Sequence, residues 1–172
     1  MKILCQERYE KAVAYAKEIK NDTLQKCIDR LKQWEENPNC PCDMTRTICV
    51  GKADLEMKKL YNTVLEAQLA GLEYLRAGVV CRDCDNVARE IINKDYNGLF
   101  GHSLGHSVGL EIHEVPCLAP SFDKILVTNN VVTVEPGIYV AGRYGCRIED
   151  LVVIKENGIE NLTKSPKNLI EL

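Results

Sequence analysis

The three histidines of this sequence lie close together along the chain. The 172-residue chain contains no others, and His102, His106 and His113 fall within twelve consecutive positions. Imidazole binds metals and exchanges protons near neutral pH, so this grouping indicates a single site. Each histidine could alternatively be a capping or core residue.

Three carboxylates border apolar, strand-like segments. Glu135 follows the run VVTV, Glu149 lies just before LVVI, and Asp43 comes shortly before the β-branched segment TRTICV. Burying a carboxylate is costly unless it is paired, hydrogen-bonded or bound to a metal. Each alone could be an ion pair at a sheet edge. Together with an imidazole they form an oxygen-rich ligand set that suits Mn, Co, Fe or Zn, and bridging carboxylates can hold two such ions about 3.5–4 Å apart.

The composition excludes several other classes of function. The net charge is −3, with 22 basic and 25 acidic residues interspersed along the chain, which argues against a nucleic-acid-binding surface. No apolar run approaches the ~18 residues of a membrane span, and the first residues lack the apolar core of a signal peptide. Nine cysteines without a secretory signal predict reduced thiols and a cytoplasmic location.

The cysteines offer a competing metal site. Cys40, Cys42, Cys81 and Cys84 could together bind a structural zinc ion. The second pair, however, opens an amphipathic pattern in which Cys84 shares a face with apolar residues. A free cysteine in that position behaves as a small hydrophobic side chain, so the pattern favours buried thiols over zinc ligands.

The elements that must position these residues follow from the apolar periodicity. Two short helices are predicted within 1–36, and the prolines at 38 and 41 end them, so we expect an αα-hairpin domain at 1–39 and a second domain at 40–172. Helices are predicted over 53–77 and 82–93. Strands are predicted over 45–50, 108–113, 131–135, 138–140, 147–154 and 159–162. Helices followed by strands predict an α+β fold with a largely antiparallel sheet.

Several segments in a fixed order carry a family resemblance. GHSLGHSVGLEIHEVPCLAP, VVTVEPGIYV and GCRIEDLVVI resemble the signature of the pita-bread metallopeptidases, which include methionine aminopeptidase, creatinase and prolidase. CDMTRTICVGK resembles the part that precedes these motifs. The resemblance covers about 42–172 and is nearest to bacterial Xaa-Pro aminopeptidases and dipeptidases. It implies the pita-bread (creatinase-like) fold and hydrolysis of the bond before proline, in peptides with proline at the second position, by a metal-activated hydroxide.

The resemblance also implies which residues bind metal. Asp43, His106, Glu135 and Glu149 match the family's metal ligands, with Asp43 and Glu149 as the bridging carboxylates. The implied cofactor is a divalent metal, Mn or Co first and Zn or Fe as further candidates, bound as one or two ions.

The remaining implied site residues surround the metal. His102 and His113 match two histidines that face the substrate, one positioning it and one stabilising the charge that develops on the scissile carbonyl. Glu135 is implicated in proton transfer to or from the bridging water. Arg147 matches a cation that steadies the ligand carboxylates.

One departure from the family pattern has chemical consequences. The family carries a further ligand aspartate in a D-x-G strand upstream of the position of Asp43, and no D-x-G string precedes Asp43. We therefore expect a fold truncated in its N-terminal half, in which the hairpin at 1–36 takes the place of the missing helices. The second metal ion would bind weakly or not at all, and activity could be impaired.

The alternative function is an inactive pita-bread module used for binding or assembly. The missing strands should leave an exposed edge or apolar face, so a homodimer is expected.

Overall fold

The computed structural model describes residues 43–109 and 112–172. Two helices, α1 (Leu55–Tyr74) and α2 (Cys81–Tyr96), precede most of the sheet. The strands are β1 (Ile48–Cys49), β2 (Gly105–Ser107), β3 (Glu114–Leu118), β4 (Val131–Val134), β5 (Gly137–Val140), β6 (Tyr144–Arg147), β7 (Asp150–Lys155), β8 (Gly158–Asn161) and β9 (Ile170–Glu171).

The helices form where the apolar periodicity places them, but their ends differ from the prediction. The Asp54 carboxylate caps α1 by accepting the Met57 amide at 2.7 Å, and one face of α1 packs against α2. The helix ends at Tyr74, three residues before the predicted end. Gly78, with a φ of +90°, lies in the turn between the two helices, where the left-handed backbone conformation favours glycine.

The cysteines at the start of α2 belong to the hydrophobic core. Cys81 and Cys84 are completely buried among the apolar residues that α2 shares with α1. Burial raises the pKa of the Cys81 thiol to about 11 and that of Cys84 to about 12. These two thiols are therefore protonated packing groups, as the amphipathic pattern predicted, and not thiolate ligands. Cys40 and Cys42 lie outside the described residues.

The main sheet has five strands in the order β3-β2-β4-β7-β8, and every neighbouring pair is antiparallel. A separate hairpin joins β5 to β6, and β1 pairs with β9 in parallel. Helix α1 packs on β4, β5, β6 and β8, and α2 packs on β3. The predicted α+β class with a largely antiparallel sheet is confirmed.

Two strands change partners at the positions of the two glutamates. The chain leaves β4 at Glu135-Pro136 and enters the β5–β6 hairpin, then leaves this hairpin at Ile148-Glu149 and enters β7. The single strand predicted over 147–154 is therefore wrong, because β6 pairs with β5 whereas β7 pairs with β4. Both glutamates lie at the junction of two sheets, where a side chain can leave the regular alternation of either strand.

The strand predicted over 108–113 is also wrong. The chain is extended before and after this segment, in β2 and β3, and the two strands pair through His106 and Cys117 with an irregularity between His106 and Ser107. The described residues of 108–113 connect the two strands.

Gly105 allows β2 to lie against β4. A Cβ atom on Gly105 would lie 1.9 Å from the Thr133 carbonyl oxygen, which is a backbone atom that cannot move aside. Since His106 is the next residue, this close approach of β2 to β4 also fixes the position of His106 relative to β4.

Two more predictions concern the N-terminal residues 1–39 and the absence of a membrane span. The αα-hairpin at 1–39 lies outside the described residues and stays a prediction. Within the described part of the chain, neither helix has the length and apolar character needed to cross a bilayer.

Candidate metal centre

Three side chains from distant parts of the sequence converge at the strand junction. Asp43, His106 and Glu149 each offer a ligand atom, and these atoms all lie within 4.8 Å of one another. Thr45 brings the first of them into place, because its carbonyl accepts the Glu149 amide at 3.0 Å in an isolated antiparallel bridge. Within the described residues this is the one such group of histidine, cysteine or carboxylate side chains.

In its neutral form, the imidazole of His106 presents an unprotonated nitrogen to the carboxylates. Its Nδ1 lies 3.1 Å from the Ser107 carbonyl oxygen, which can only accept, so Nδ1 carries the proton of the neutral ring. Nε2 then faces Glu135 Oε1 at 3.0 Å and Asp43 Oδ2 at 3.7 Å. Acceptors facing one another require a proton or a cation between them. In the metal-free protein the hydrogen bond to Glu135 raises the pKa of His106 above its usual value, although burial opposes this.

The charge balance of the group fits a divalent cation. When all three are ionised, Asp43, Glu135 and Glu149 carry three negative charges, and the Arg147 guanidinium, whose Nη1 is 3.7 Å from Glu135 Oε2, supplies one positive charge. Asp43 Oδ2 is buried and has no hydrogen-bond partner. A buried carboxylate oxygen without a donor is expensive, and a metal ion would satisfy it. The donor set and its uncompensated charge therefore suit the divalent metal that the sequence predicts.

Glu149 shows this imbalance most clearly. Burial raises the pKa of its carboxyl to about 7, and the negative charges of Glu135 and Asp43 act in the same direction. The hydroxyl of Thr45 donates a hydrogen bond to Glu149 Oε2 and the Arg147 charge also acts against the rise, but these contacts do not cancel it. A cation at this position would keep Glu149 ionised.

Glu135 has the opposite shift although it is also buried. Burial alone would raise its pKa, but the hydrogen bond and charge of His106, with contributions from Thr133 and Arg147, hold it below its usual value. The Thr133 hydroxyl accepts the His106 amide at 3.0 Å and donates to Glu135 Oε1 at 3.0 Å. Thr133 thus fixes the Glu135 carboxylate relative to the His106 backbone, and Glu135 is ionised at neutral pH.

Arg147 connects the carboxylates from the solvent side. Its Nε donates to the Thr45 hydroxyl at 3.0 Å, and the same hydroxyl donates to Glu149. The backbone of Arg147 is held in turn by the Thr47 hydroxyl, which accepts its amide and donates to its carbonyl, both at 3.0 Å.

The two remaining histidines lie at different sides of the group. The rings of His113 and His106 are arranged edge-on, with their centroids 4.4 Å apart. The ring nitrogens of His102 bond other groups: its Nδ1 donates to the Ser103 carbonyl at 2.8 Å, and its Nε2 accepts the Tyr139 hydroxyl at 3.0 Å. The structure therefore brings six of the seven predicted site residues together, whereas His102 bonds Tyr139. The six are Asp43, His106, His113, Glu135, Arg147 and Glu149.

Sequence reasoning missed the residues that orient the site. Thr45 and Thr133 were visible only as β-branched residues of strands, and Tyr139 only as part of an apolar run. The available signal was position: Thr45 and Thr133 each lie two residues from a predicted ligand, Asp43 and Glu135. Residues two apart on a strand share a face.

The chain belongs to metallopeptidase family M24, because the model of that family matches residues 38–156. It is 45% identical over 129 residues to a Xaa-Pro dipeptidase from Pyrococcus furiosus, which covers 74% of this chain and 37% of the relative. The family implies a divalent metal, in agreement with the charge and ligand geometry above.

Two solved structures share the fold. A Xaa-Pro dipeptidase from Bacillus anthracis superimposes with a TM-score of 0.74 and 50% identity, over 76% of this chain and 37% of that one. An X-Pro aminopeptidase from Thermotoga maritima gives a TM-score of 0.73 and 46% identity over the same shares. The predicted pita-bread fold is confirmed. The chain spans just over a third of the length of these relatives.

Proposed function

We propose that this chain carries the metal site of a peptidase that hydrolyses the bond before proline in peptides with proline at the second position. The observation that carries the proposal is the convergence of Asp43, His106 and Glu149 in a buried group with more carboxylate than cation. The substrate class is supported by the relatives, which are a Xaa-Pro dipeptidase and an X-Pro aminopeptidase.

Asp43, His106 and Glu149 would hold one divalent ion, and Glu135 would join them through its contact with His106. One nitrogen and several carboxylate oxygens favour Mn or Co, and they are compatible with Zn or Fe. Such an ion lowers the pKa of a water molecule and polarises the carbonyl of the scissile bond. A second ion would bind weakly, because the described residues offer no further group of three ligands.

The surrounding residues have separate roles in this proposal. Glu135, ionised and 3.0 Å from His106, accepts the proton of the attacking water and later returns it to the leaving nitrogen. His113, in contact with the His106 ring, and His102 on the Tyr139 side face the substrate, one orienting it and one stabilising the developing oxyanion. Arg147 keeps the Thr45 hydroxyl directed at Glu149.

The test is hydrolysis of an Ala-Pro dipeptide by the full chain with added Mn²⁺, with Ala-Ala as the matched substrate. We expect Mn²⁺-dependent cleavage of Ala-Pro that a chelator stops, and no cleavage by the His106→Ala variant. Failure of the chain to bind Mn²⁺ at millimolar concentration would contradict the proposal. Binding without cleavage would favour the alternative, an inactive module for binding or assembly.

Three further predictions concern organisation and location and remain separate from the chemistry. Ile48 and Val50, in and beside β1, are 36% and 56% exposed, which supports the expected homodimer through an apolar sheet edge. A monomer in light scattering would contradict it. The αα-hairpin at 1–39 and the cytoplasmic location stay predictions.

A further inference from the structure

A partly buried ion pair on α2 bonds the segment that carries His102. The Arg89 guanidinium binds the Asp85 carboxylate through two hydrogen bonds, from Nε at 2.6 Å and from Nη2 at 3.0 Å. The Asp85 side chain is completely buried, and that of Arg89 is 23% exposed. The proposed reaction uses neither residue, so the pair requires another explanation.

The pair binds the backbone on both sides of His102. Arg89 donates to the Phe100 carbonyl at 2.8 Å and to the His102 carbonyl at 2.7 Å, and its guanidinium lies 4.3 Å from the centre of the Phe100 ring. Asp85 Oδ1 accepts the Leu104 amide at 2.8 Å. Residues 100, 102 and 104 are thus all fixed from one helix.

The segment that carries His102 is anchored at its two ends and lies outside the regular strands between them. The Leu99 carbonyl accepts the Tyr139 amide at 3.2 Å, the Leu104 carbonyl accepts the Glu135 amide at 2.7 Å, and the Phe100 and Leu104 side chains are buried in the core. Between these ends, a Cβ atom at Gly101 would meet nothing within 4 Å. The His102 ring is oriented by the neighbouring Ser103 carbonyl at 2.8 Å and by the Tyr139 hydroxyl. Within this segment, Arg89 is the side chain that bonds the His102 carbonyl itself, so the direction of the imidazole depends on the Arg89–Asp85 pair as well as on the anchored ends.

We infer that Arg89, oriented by Asp85, is a positioning residue for the His102 imidazole in the proposed peptidase reaction. It acts through the carbonyls of Phe100 and His102 and does not touch the substrate. Arginine is required because one planar guanidinium bonds a carboxylate with two N–H groups and still reaches two carbonyls, whereas a lysine ammonium is a point charge with three donors. The catalytic part of the inference rests on the proposed function, but the positioning of the ring does not.

The first experiment observes the ring directly. The chain contains three histidines, so ¹⁵N NMR of the Zn²⁺-loaded full chain resolves each imidazole, and the His102→Gln variant assigns its signal. At alkaline pH we expect His102 in one fixed tautomer with the proton on Nδ1. The Arg89→Lys and Arg89→Met variants should show an average of both tautomers. Arg82→Lys is the matched control, because Arg82 lies on the same helix but forms an exposed ion pair with Asp123.

The second experiment is a double-mutant cycle on Ala-Pro hydrolysis with Mn²⁺. Arg89→Lys should lower kcat/KM about 10- to 100-fold, as expected for a misplaced active-site group. In the His102→Gln background it should cause no further loss, because its target is already absent. A purely structural role would lower the rate by the same factor in both backgrounds, and that result would overturn the inference.

The outcomes separate this inference from the proposed function. If the wild-type chain does not cleave Ala-Pro but Arg89→Lys releases the His102 tautomer, the proposed function fails and the positioning role stands. A fixed tautomer in both Arg89 variants would overturn the positioning role whatever the activity. If Arg89→Met does not fold, Arg89→Lys, which retains a charge partner for Asp85, still decides the question.

Discussion

Glu149 and Asp150 are adjacent in sequence and almost completely buried, yet they belong to regions with opposite electrostatics. Asp150 accepts hydrogen bonds from Arg46 Nη2 at 2.7 Å, Asn161 Nδ2 at 2.6 Å and Lys167 Nζ at 2.7 Å. Burial raises the pKa of Asp150, but these three donors outweigh it and hold the pKa below its usual value. Asp150 is a satisfied structural carboxylate.

Glu149 has the same burial and lacks this compensation. Thr45 donates to it, while Asp43 and Glu135 face it with like charge, and its pKa rises to about 7. Burial therefore does not distinguish a candidate metal ligand from a structural carboxylate in this fold. The distinguishing feature is the deficit of donors, which a divalent ion can fill at Glu149 and which does not exist at Asp150.

The largest expected effect comes from removing the Asp150 carboxylate. Asp150→Ala leaves Arg46 and Lys167 without their carboxylate, and removing one partner of a buried pair costs about 3–5 kcal/mol. We expect the free energy of unfolding in urea, measured without metal, to fall by this amount. Glu160→Ala removes an exposed partner of Lys155 on β8 and should change little. A loss at Asp150 as small as that at Glu160 would show that the donors do not stabilise the fold.

The next largest effect concerns the candidate metal ligands around Glu149. Mn²⁺ at one hundred times its Kd should add about 2.7 kcal/mol to the free energy of unfolding, because the ion binds only the folded chain. His106→Ala should abolish this increment.

Asp150→Asn is the control for the metal effect. It should lower the stability of the metal-free chain but retain the Mn²⁺ increment, since Asp150 points away from the ligands toward Arg46 and Lys167. If Asp150→Asn and His106→Ala lose the increment equally, the two regions are not independent.

A smaller effect concerns the hydroxyl that orients Glu149. Thr45→Val keeps the shape of the side chain but removes the hydrogen bonds to Glu149 and from Arg147. Groups that orient metal ligands typically contribute 10- to 100-fold to affinity, so we expect a loss of about this size for Mn²⁺ in isothermal titration calorimetry. Thr63→Val, an exposed threonine on α1 whose hydroxyl bonds the Lys59 carbonyl, should bind Mn²⁺ as the wild type does.

The sequence predicted the helices, the family and the fold better than it predicted which distant residues contact Glu149 and Asp150. Apolar periodicity located both helices, and the motif segments indicated the family and the pita-bread fold. Strand ends were less accurate, because the change of partner at Glu149 depends on pairing with Thr45, 104 positions away. The donors to Asp150 come from positions 46, 161 and 167, and no local pattern indicates that these residues meet. The roles of the predicted site residues remain proposals.

The smallest expected effect, taken per pH unit, is the pH dependence of stability in the metal-free chain. The pKa of Glu149 rises from 4.5 to about 7 on folding, so between these values the folded chain binds more protons than the unfolded chain. The free energy of unfolding should therefore fall as pH rises through this range, by at most about 1.4 kcal/mol per pH unit. His106 adds to the fall, because its raised pKa gives stability that is lost as pH rises through the folded value.

Glu149→Gln tests this assignment, because an amide does not titrate. Urea unfolding of this variant should show a flatter decline between pH 4.5 and about 7, and the residual slope nearer neutrality belongs to His106. Asp150 works in the opposite sense and in a lower range: folding lowers its pKa from 3.8, so its contribution is lost only as pH falls below 3.8 and through the folded pKa. Added Mn²⁺ should reverse the wild-type trend, since its ligands must be deprotonated to bind. An unchanged slope in Glu149→Gln would mean that Glu149 is compensated after all, and the contrast with Asp150 would disappear.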